Sequence, residues 1–273
     1  MSATALGLTL AAALLHAGWN VLLGGARDVR AATAVTLVLS VLLFAPVAAA
    51  TWSVEASAVP WIVASSALEL VYFLLLTAAY SRSDVSLVYP IARGTAPVLV
   101  LVAAAVVGAT VGVWQAMGVV LVGVGVVLVR GLRGRADSRG LVLALAIGGT
   151  IAAYTLVDNE GIEHAAPVPY LVLVLAPVAL AAVLVEVGRG RAGALLAVSG
   201  KVAVAAALAS FGAYALVLAA LELAPAASVA AVRESSILFA AVLGALVLRE
   251  PVGPRRLAGA ALIVAGVVFV ATA

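Results

Sequence analysis

Charged side chains set inside apolar runs are the residues of this chain that can do chemistry. The stretch Ala231-Val232-Arg233-Glu234-Ser235-Ser236 lies in an otherwise apolar run from about Pro225 to Leu248, and Arg93 holds a similar place in Val88-Tyr89-Pro90-Ile91-Ala92-Arg93-Gly94-Thr95. About 20 apolar residues are enough to cross a bilayer. A charge near the centre of such a run costs roughly 2.5 to 3.5 kcal/mol on insertion scales, so it faces protein or a water-filled cavity and marks a functional position by default. A guanidinium offers a fixed fork of donors that suits a substrate carboxylate and an internal acid equally well. Arg93 and Arg233 are therefore either binding residues or partners of Glu69, Asp158 or Glu234 in ion pairs that lock helices together. Glu234 follows Arg233 directly; on a helix the two point about 100° apart and cannot face one partner. Its carboxylate suits either proton carriage or service as counter-ion to an arginine.

Glu69 and Tyr72 stand three apart, on one helical face of another apolar run. Tyr214 is the later counterpart of Tyr72, with Phe211 in the place of Glu69. His16 and Asn20 share a face at a spacing of four, beside Trp19, and Tyr154 and Asp158 repeat that spacing at a place suited to a cavity mouth. His16 is a substrate ligand or proton relay, or an interhelical hydrogen-bonding residue. Trp19 is a stacking platform or an interfacial anchor. No catalytic constellation accompanies these groups: H-E-x-x-H and G-x-S-x-G are absent, and the two histidines, His16 and His164, fall on different elements. The phosphate-cradling G-x-x-x-x-G-K-[ST] is absent too, which removes direct use of ATP. There is no cysteine for a disulfide or a thiolate metal site. Neither an enzyme nor a metal or cofactor is expected. The competing readings are a membrane enzyme acting on a lipid-linked substrate, and a scaffold that transports nothing.

The elements that position these residues follow from composition. Of 273 residues, 66% are hydrophobic and 10% charged, whereas a soluble domain is about 45–50% apolar and about 25% charged. This is the composition of a multi-pass membrane protein, and the net charge of +3 gives no reason to expect nucleic acid as a partner. Apolar spans fall at about 3–24, 31–50, 60–80 and 85–107, with a fifth ending at Val129. Five more follow at about 141–159, 168–186, 202–222, 226–248 and 255–272. Pro90 and Pro97 should kink the fourth span or free carbonyls toward a cavity. Loops after odd-numbered spans hold every basic residue except Arg93 and Arg233, from Arg27 and Arg30 through Arg133, Arg135, Arg189 and Arg191 to Arg249, Arg255 and Arg256. The positive-inside rule then places both termini outside the cytoplasm.

Five spans per half is an odd number, so the halves insert upside down relative to each other. Arg93 corresponds to Arg233 and Thr95 to Ser235, while Gly118 and Gly125 correspond to Gly259 and Gly266. The expected fold is all-α and integral to the membrane, with ten transmembrane helices in two inverted five-helix repeats. Residues 1–129 form the first repeat, 130–140 a basic cytoplasmic linker and 141–273 the second repeat. Inverted repeats around a midplane site are a recurrent plan of secondary transporters. Glycines such as Gly118, Gly123, Gly125, Gly259 and Gly266 are expected to serve close helix packing.

Tyr89-Pro90-Ile91-Ala92-Arg93-Gly94-Thr95-Ala96-Pro97 resembles the fourth helix of the EamA family of the drug/metabolite transporter superfamily. Arg233-Glu234-Ser235-Ser236 followed by Leu248-Arg249-Glu250-Pro251 resembles its ninth helix and exit loop, Ala153 to Asp158 the start of its second repeat, and His16-Ala17-Gly18-Trp19-Asn20 its first helix. The likeness covers nearly the whole chain. One departure is Thr110, where the family often carries a glutamate as Glu250 does in the second half. The resemblance implies a ten-helix carrier of a small metabolite, amino acid or drug in the cytoplasmic membrane, usually an exporter, working by alternating access. The mixed signs of Arg93 and Arg233 against Glu69, Glu234 and Asp158 suit a zwitterion better than a purely cationic drug. A proton gradient or simple exchange would drive it, and one chain supplies both halves of a cavity, so a monomer suffices.

Overall fold

The computed structural model describes residues 1–82, 85–130, 138–198, 200–248 and 253–273. Most of the linker expected at 130–140, with Arg133 and Arg135, lies outside the described residues, as do Arg249, Glu250 and Pro251. Among the described residues the chain is a bundle of helices: α1 (Ala3–Gly24), α2 (Val29–Ala50), α3 (Val59–Arg82), α4 (Val85–Val106), α5 (Val113–Arg130), α6 (Ser138–Gly161), α7 (Pro167–Gly188), α8 (Ala192–Leu196), α9 (Gly200–Leu221), α10 (Ala226–Arg233), α11 (Ser236–Leu248) and α12 (Pro254–Thr272). Local signals set the starts. Ser2 and Asp28 accept hydrogen bonds from the amides of Ala5 and Ala31 as N-caps of α1 and α2. Pro167 and Pro254 open α7 and α12, where a proline costs no hydrogen bond.

Eight helices among the described residues are long and apolar enough to cross a membrane. At about 1.5 Å per residue, a 22-residue helix such as α1 reaches about 33 Å, against a hydrocarbon core of about 30 Å. Leu42, Leu74, Val142 and Leu180 expose large apolar side chains on the outside of the bundle, a surface that lipid solvates and water does not.

Two expectations need adjustment. The ninth span, read as one run over 226–248, is two helices, broken at Glu234 and Ser235. There the amides of Glu234, Ser235, Ile237 and Leu238 bond carbonyls three residues back, at 2.9 to 3.1 Å. This is a tightened 3₁₀-type turn, which often marks a hinge or a strained functional segment. The step between the seventh and eighth spans contains the short helix α8, which apolar periodicity could not reveal over five residues. Pro90 and Pro97 lie inside α4, as the fourth span placed them.

The helices pair closely. α5 runs along α12, α1 along α9, α3 and α4 against α6, and α2 against α7. The α5–α12 seam depends on glycine: a Cβ on Gly118 would sit 2.6 Å from Gly266 O, and one on Gly125 would sit 2.7 Å from Gly259 O. α4 meets α5 the same way, since a Cβ on Gly94 would be 2.8 Å from Gly123 O. Small residues let backbones approach where lipid supplies no hydrophobic drive between helices. α2 and α7 are antiparallel and joined at both ends. At one end Ala166 N donates to Ser53 O (2.7 Å) and Glu55 N to His164 O (2.9 Å), with a β-bridge between Val54 and Ala165. At the other, Arg191 donates to Asp28 and, at 2.7 Å, to the buried Glu186. The terminal ammonium of Met1 donates to Ala271 O at 3.1 Å, so the chain ends lie together on one face.

Candidate functional site

A cavity of about 360 Å³ opens into the middle of the bundle, walled by α1, α2, α3, α4, α6, α7, α9 and α10. From mid-bundle it runs along α1 to Leu23 and Gly24, along α2 to Val29 and along α3 to Leu76. The α1 and α2 ends flank the turn that carries Arg27, with Arg30 in the first turn of α2. Toward the opposite face the lining stops at Ala12 and Val217, short of the joined segments Ser53–Glu55 and His164–Ala166.

Most of the residues singled out in the sequence line this cavity. α1 contributes His16, Trp19 and Asn20; α3 contributes Glu69 and Tyr72. Arg93 enters from α4, Tyr154 from α6, Tyr214 from α9 and Arg233 from the end of α10. The three tyrosines form an edge-to-face chain, Tyr72 to Tyr154 at 6.3 Å and Tyr154 to Tyr214 at 6.1 Å between centroids, a preferred geometry for aromatic pairs. On α1, Trp19 Nε1 points at His16 Nδ1 (3.4 Å) and their rings are T-shaped, while Asn20 donates to His16 O at 2.7 Å.

Two predicted residues do not line the cavity. Glu234 is fully buried, with Oε2 3.0 Å from Arg93 Nε, an ion pair whose approach is not aligned as a hydrogen bond. The break after α10 lets Arg233 and its neighbour diverge, one toward the cavity and the other toward α4. Asp158, expected at a cavity mouth, is instead fully buried behind the wall, accepting from Tyr170 at 2.9 Å and from Tyr214. Gly161 makes this possible, since a Cβ there would sit 2.4 Å from the Tyr170 ring.

Arg233 and Glu69 are the exceptions among these paired charges. Arg233 is 5% exposed and its Nε has no hydrogen-bond partner among the described residues. Glu69 and Asp158 lie within electrostatic reach of it, yet neither forms an ion pair with it among the described residues. Glu69 is 9% exposed, and no hydrogen bond or ion pair to it is present among the described residues. Besides the paired Arg93, the cavity wall thus carries one guanidinium, Arg233, and one carboxylate, Glu69, that form no ion pair among the described residues.

Several lining residues escaped the sequence reading. Thr33, Thr36 and Ser40 of α2 form a stripe at helical spacing, and Ser210 of α9 stands beside Ser40, which bonds Ala207 O at 3.3 Å. The signal was present as hydroxyls three and four apart in an apolar run. Hydroxyls are inexpensive in a membrane helix, however, because they bond back to their own backbone, as Thr33 does to Val29 O at 2.7 Å.

Fold and cavity together define a polytopic helical membrane protein built around a central, largely apolar cavity with a few polar and charged side chains in its wall. Residues 138–272 match the model of the EamA-like transporter family, and over that half the chain is a member of it, a family of membrane transporters. No curated protein matches the chain in sequence. A solved structure described only as the crystal structure of a protein superposes over 100% of this chain and 97% of its own, with a TM-score of 0.78 and 16% identity. At that identity the likeness is one of fold.

Proposed function

We propose that the protein is a secondary transporter that exports a small zwitterionic metabolite, such as an amino acid, across the cytoplasmic membrane by alternating access. The observation that carries this reading is the mid-bundle cavity lined by both Arg233 and Glu69, neither of which forms an ion pair among the described residues. A substrate carboxylate takes the guanidinium fork, its ammonium group takes Glu69, and the tyrosine chain with Trp19 supplies π-faces for the cationic end. Arg93 has the structural part: its charge is taken by Glu234.

The architecture that fits this role is ten spans in two inverted halves, residues 1–129 and 141–273, joined by a basic linker. It is supported by the shared face of the chain ends, which requires an even number of crossings, and by the reciprocal contacts Gly118–Gly266 and Gly125–Gly259. The closures at the two ends of the α2–α7 pair come from loops at corresponding places in the halves. The basic loops mark the cytoplasmic side, so the conformation described here faces inward. The test is release from proteoliposomes loaded with pooled amino acids and metabolites, read by mass spectrometry, with Arg233→Ala beside the wild type. Selective release that Arg233→Ala loses is the expected result. Transport of lipophilic cations alone would sink the zwitterion reading.

A further inference from the structure

The connection between α7 and α9 is longer than a tight turn needs, and it presents an apolar side chain outward. α7 stops where Gly190 takes a φ of 72°, a left-handed conformation open to glycine. The amides of Arg189, Gly190 and Arg191 there fold back on the carbonyls of Val185, Val187 and Glu186, at 2.8 to 3.2 Å. α9 does not begin until Gly200, so the chain runs across the end of the bundle as α8. Contacts at both ends fix its height. Arg191, at the start of α8, donates to Asp28, the N-cap of α2, and to Glu186 in the last turn of α7. Past the other end, Val198 packs with Leu23, Ala32 and Ala206 of α1, α2 and α9. α8 is therefore level with the ends of four helices long and apolar enough to cross the membrane, which is the headgroup layer of the bilayer.

Leu196 of α8 is 89% exposed, the most exposed large apolar side chain among the described residues, and Ala192 and Ala197 are exposed beside it. Around it stand Arg27, Arg30 and Lys201, exposed and without an ion pair among the described residues. The carboxylates of this lip, Asp28 and Glu186, are already taken by Arg191 and Arg189, so its surplus charge is positive. On the opposite face the connections hold Glu55, Glu160, Glu163 and Glu222 and no lysine or arginine. We propose that α8 is an interfacial helix that docks on anionic phospholipid, with Leu196 in the acyl boundary and Arg27, Arg30 and Lys201 on the phosphate-bearing headgroups. Apolar side chains beside basic ones at this depth suit a helix lying in the membrane plane, and basic clusters at the ends of spans attract anionic lipid. The occupant is lipid and not a soluble anion, because the cations are spread over a turn and two helix starts beside an apolar residue and enclose no pocket. Leu23 and Val29 of the same lip line the cavity, which puts the bound lipid beside the cavity mouth. The assignment does not depend on what the cavity carries.

The test takes the full-length protein from bilayers of equimolar phosphatidylglycerol and phosphatidylcholine and reads the retained lipid by native mass spectrometry. Wild type should retain phosphatidylglycerol in preference. Arg27→Gln, Arg30→Gln and Lys201→Gln should each lower that preference about fivefold, the equivalent of about 1 kcal/mol for one cation beside an anionic surface. Arg255→Gln, at the start of α12 on the same face, should leave it, and inorganic phosphate in excess should not compete. Depth is read separately: the chain has no cysteine, so a nitroxide attached through Leu196→Cys reports that position alone. In bilayers its relaxation should respond to oxygen dissolved in the lipid more than to a water-soluble nickel chelate, and a label at Glu163→Cys in the opposite loop should do the reverse. Melting curves confirm that each variant is folded. Equal retention of the two lipids overturns the assignment, as does a preference that survives removal of all three cations or is lost equally in Arg255→Gln. Displacement by inorganic phosphate would give the cations to a soluble anion. A Leu196→Cys label as open to nickel as the Glu163→Cys label would place α8 in water, and disulfide-linked dimers through Leu196→Cys would give the surface to a second copy of the chain; each of these results overturns the proposal.

Discussion

Cutting the Arg93–Glu234 pair separates a structural role for these charges from a functional one. Glu234 is fully buried and Arg93 nearly so, at 3.0 Å. Removing one partner of a buried pair costs about 3–5 kcal/mol, because the other charge is left without compensation, whereas replacing both by apolar residues of similar volume is near neutral or stabilising. Arg93→Met and Glu234→Leu should therefore each destabilise by about 3 kcal/mol or more, and the double variant should recover most of the loss, a coupling of the size a double-mutant cycle resolves. The assay is reversible unfolding in mixed detergent and SDS micelles, with amino-acid release from proteoliposomes run on the same preparations. Arg233→Met, which breaks no ion pair, should fold with a loss nearer 1 kcal/mol, typical of single substitutions, and yet lose flux. If Arg93→Met keeps wild-type stability while flux disappears, or the double variant recovers nothing, the assignment of Arg93 to structure is wrong.

Ala at Gly118 or Gly125 should cost about 1–3 kcal/mol by overpacking, because the added Cβ meets backbone oxygen at 2.6 or 2.7 Å; Gly18→Ala, with open space around it, should be neutral in the same unfolding assay. Tyr170→Phe removes a buried bond to a carboxylate and should cost about 1.5–3 kcal/mol, read by unfolding, while substrate release persists because Tyr170 is absent from the cavity wall. At the α2–α7 closure, Asp28 is held below its ordinary value of 3.8 first by the Ala31 amide and then, against partial desolvation, by Arg191. Its folded value lies below its unfolded one, so its contribution is complete above the ordinary value and is lost as the pH falls through the lower folded one. Asp28→Asn should accordingly lower stability at neutral pH and narrow the gap from wild type as the solution is acidified, measured by melting across that range.

The sequence by itself determined what the bilayer demands. Spans of about 20 apolar residues, basic loops and capped or proline-led starts are local or compositional, so α1, α2, α6, α7 and α9 fall within two or three residues of their predicted ends. The expense of a charge in an apolar run also singled out Glu69, Arg93, Asp158, Arg233 and Glu234 before any contact was known. Which of them are already paired is a tertiary matter. Arg93 and Glu234 lie on helices far apart in the chain, and Asp158 is withdrawn from the cavity only because Tyr170 and Tyr214, from two other helices, close over it. The break at Glu234 and Ser235 was equally hidden, since Ala, Val, Leu and Ser run on without a glycine or proline there. Composition sets the cost of burying a charge; only the packing of helices decides which of these charges meets a partner, and among the described residues Arg93 meets Glu234 while Arg233 and Glu69 form no ion pair.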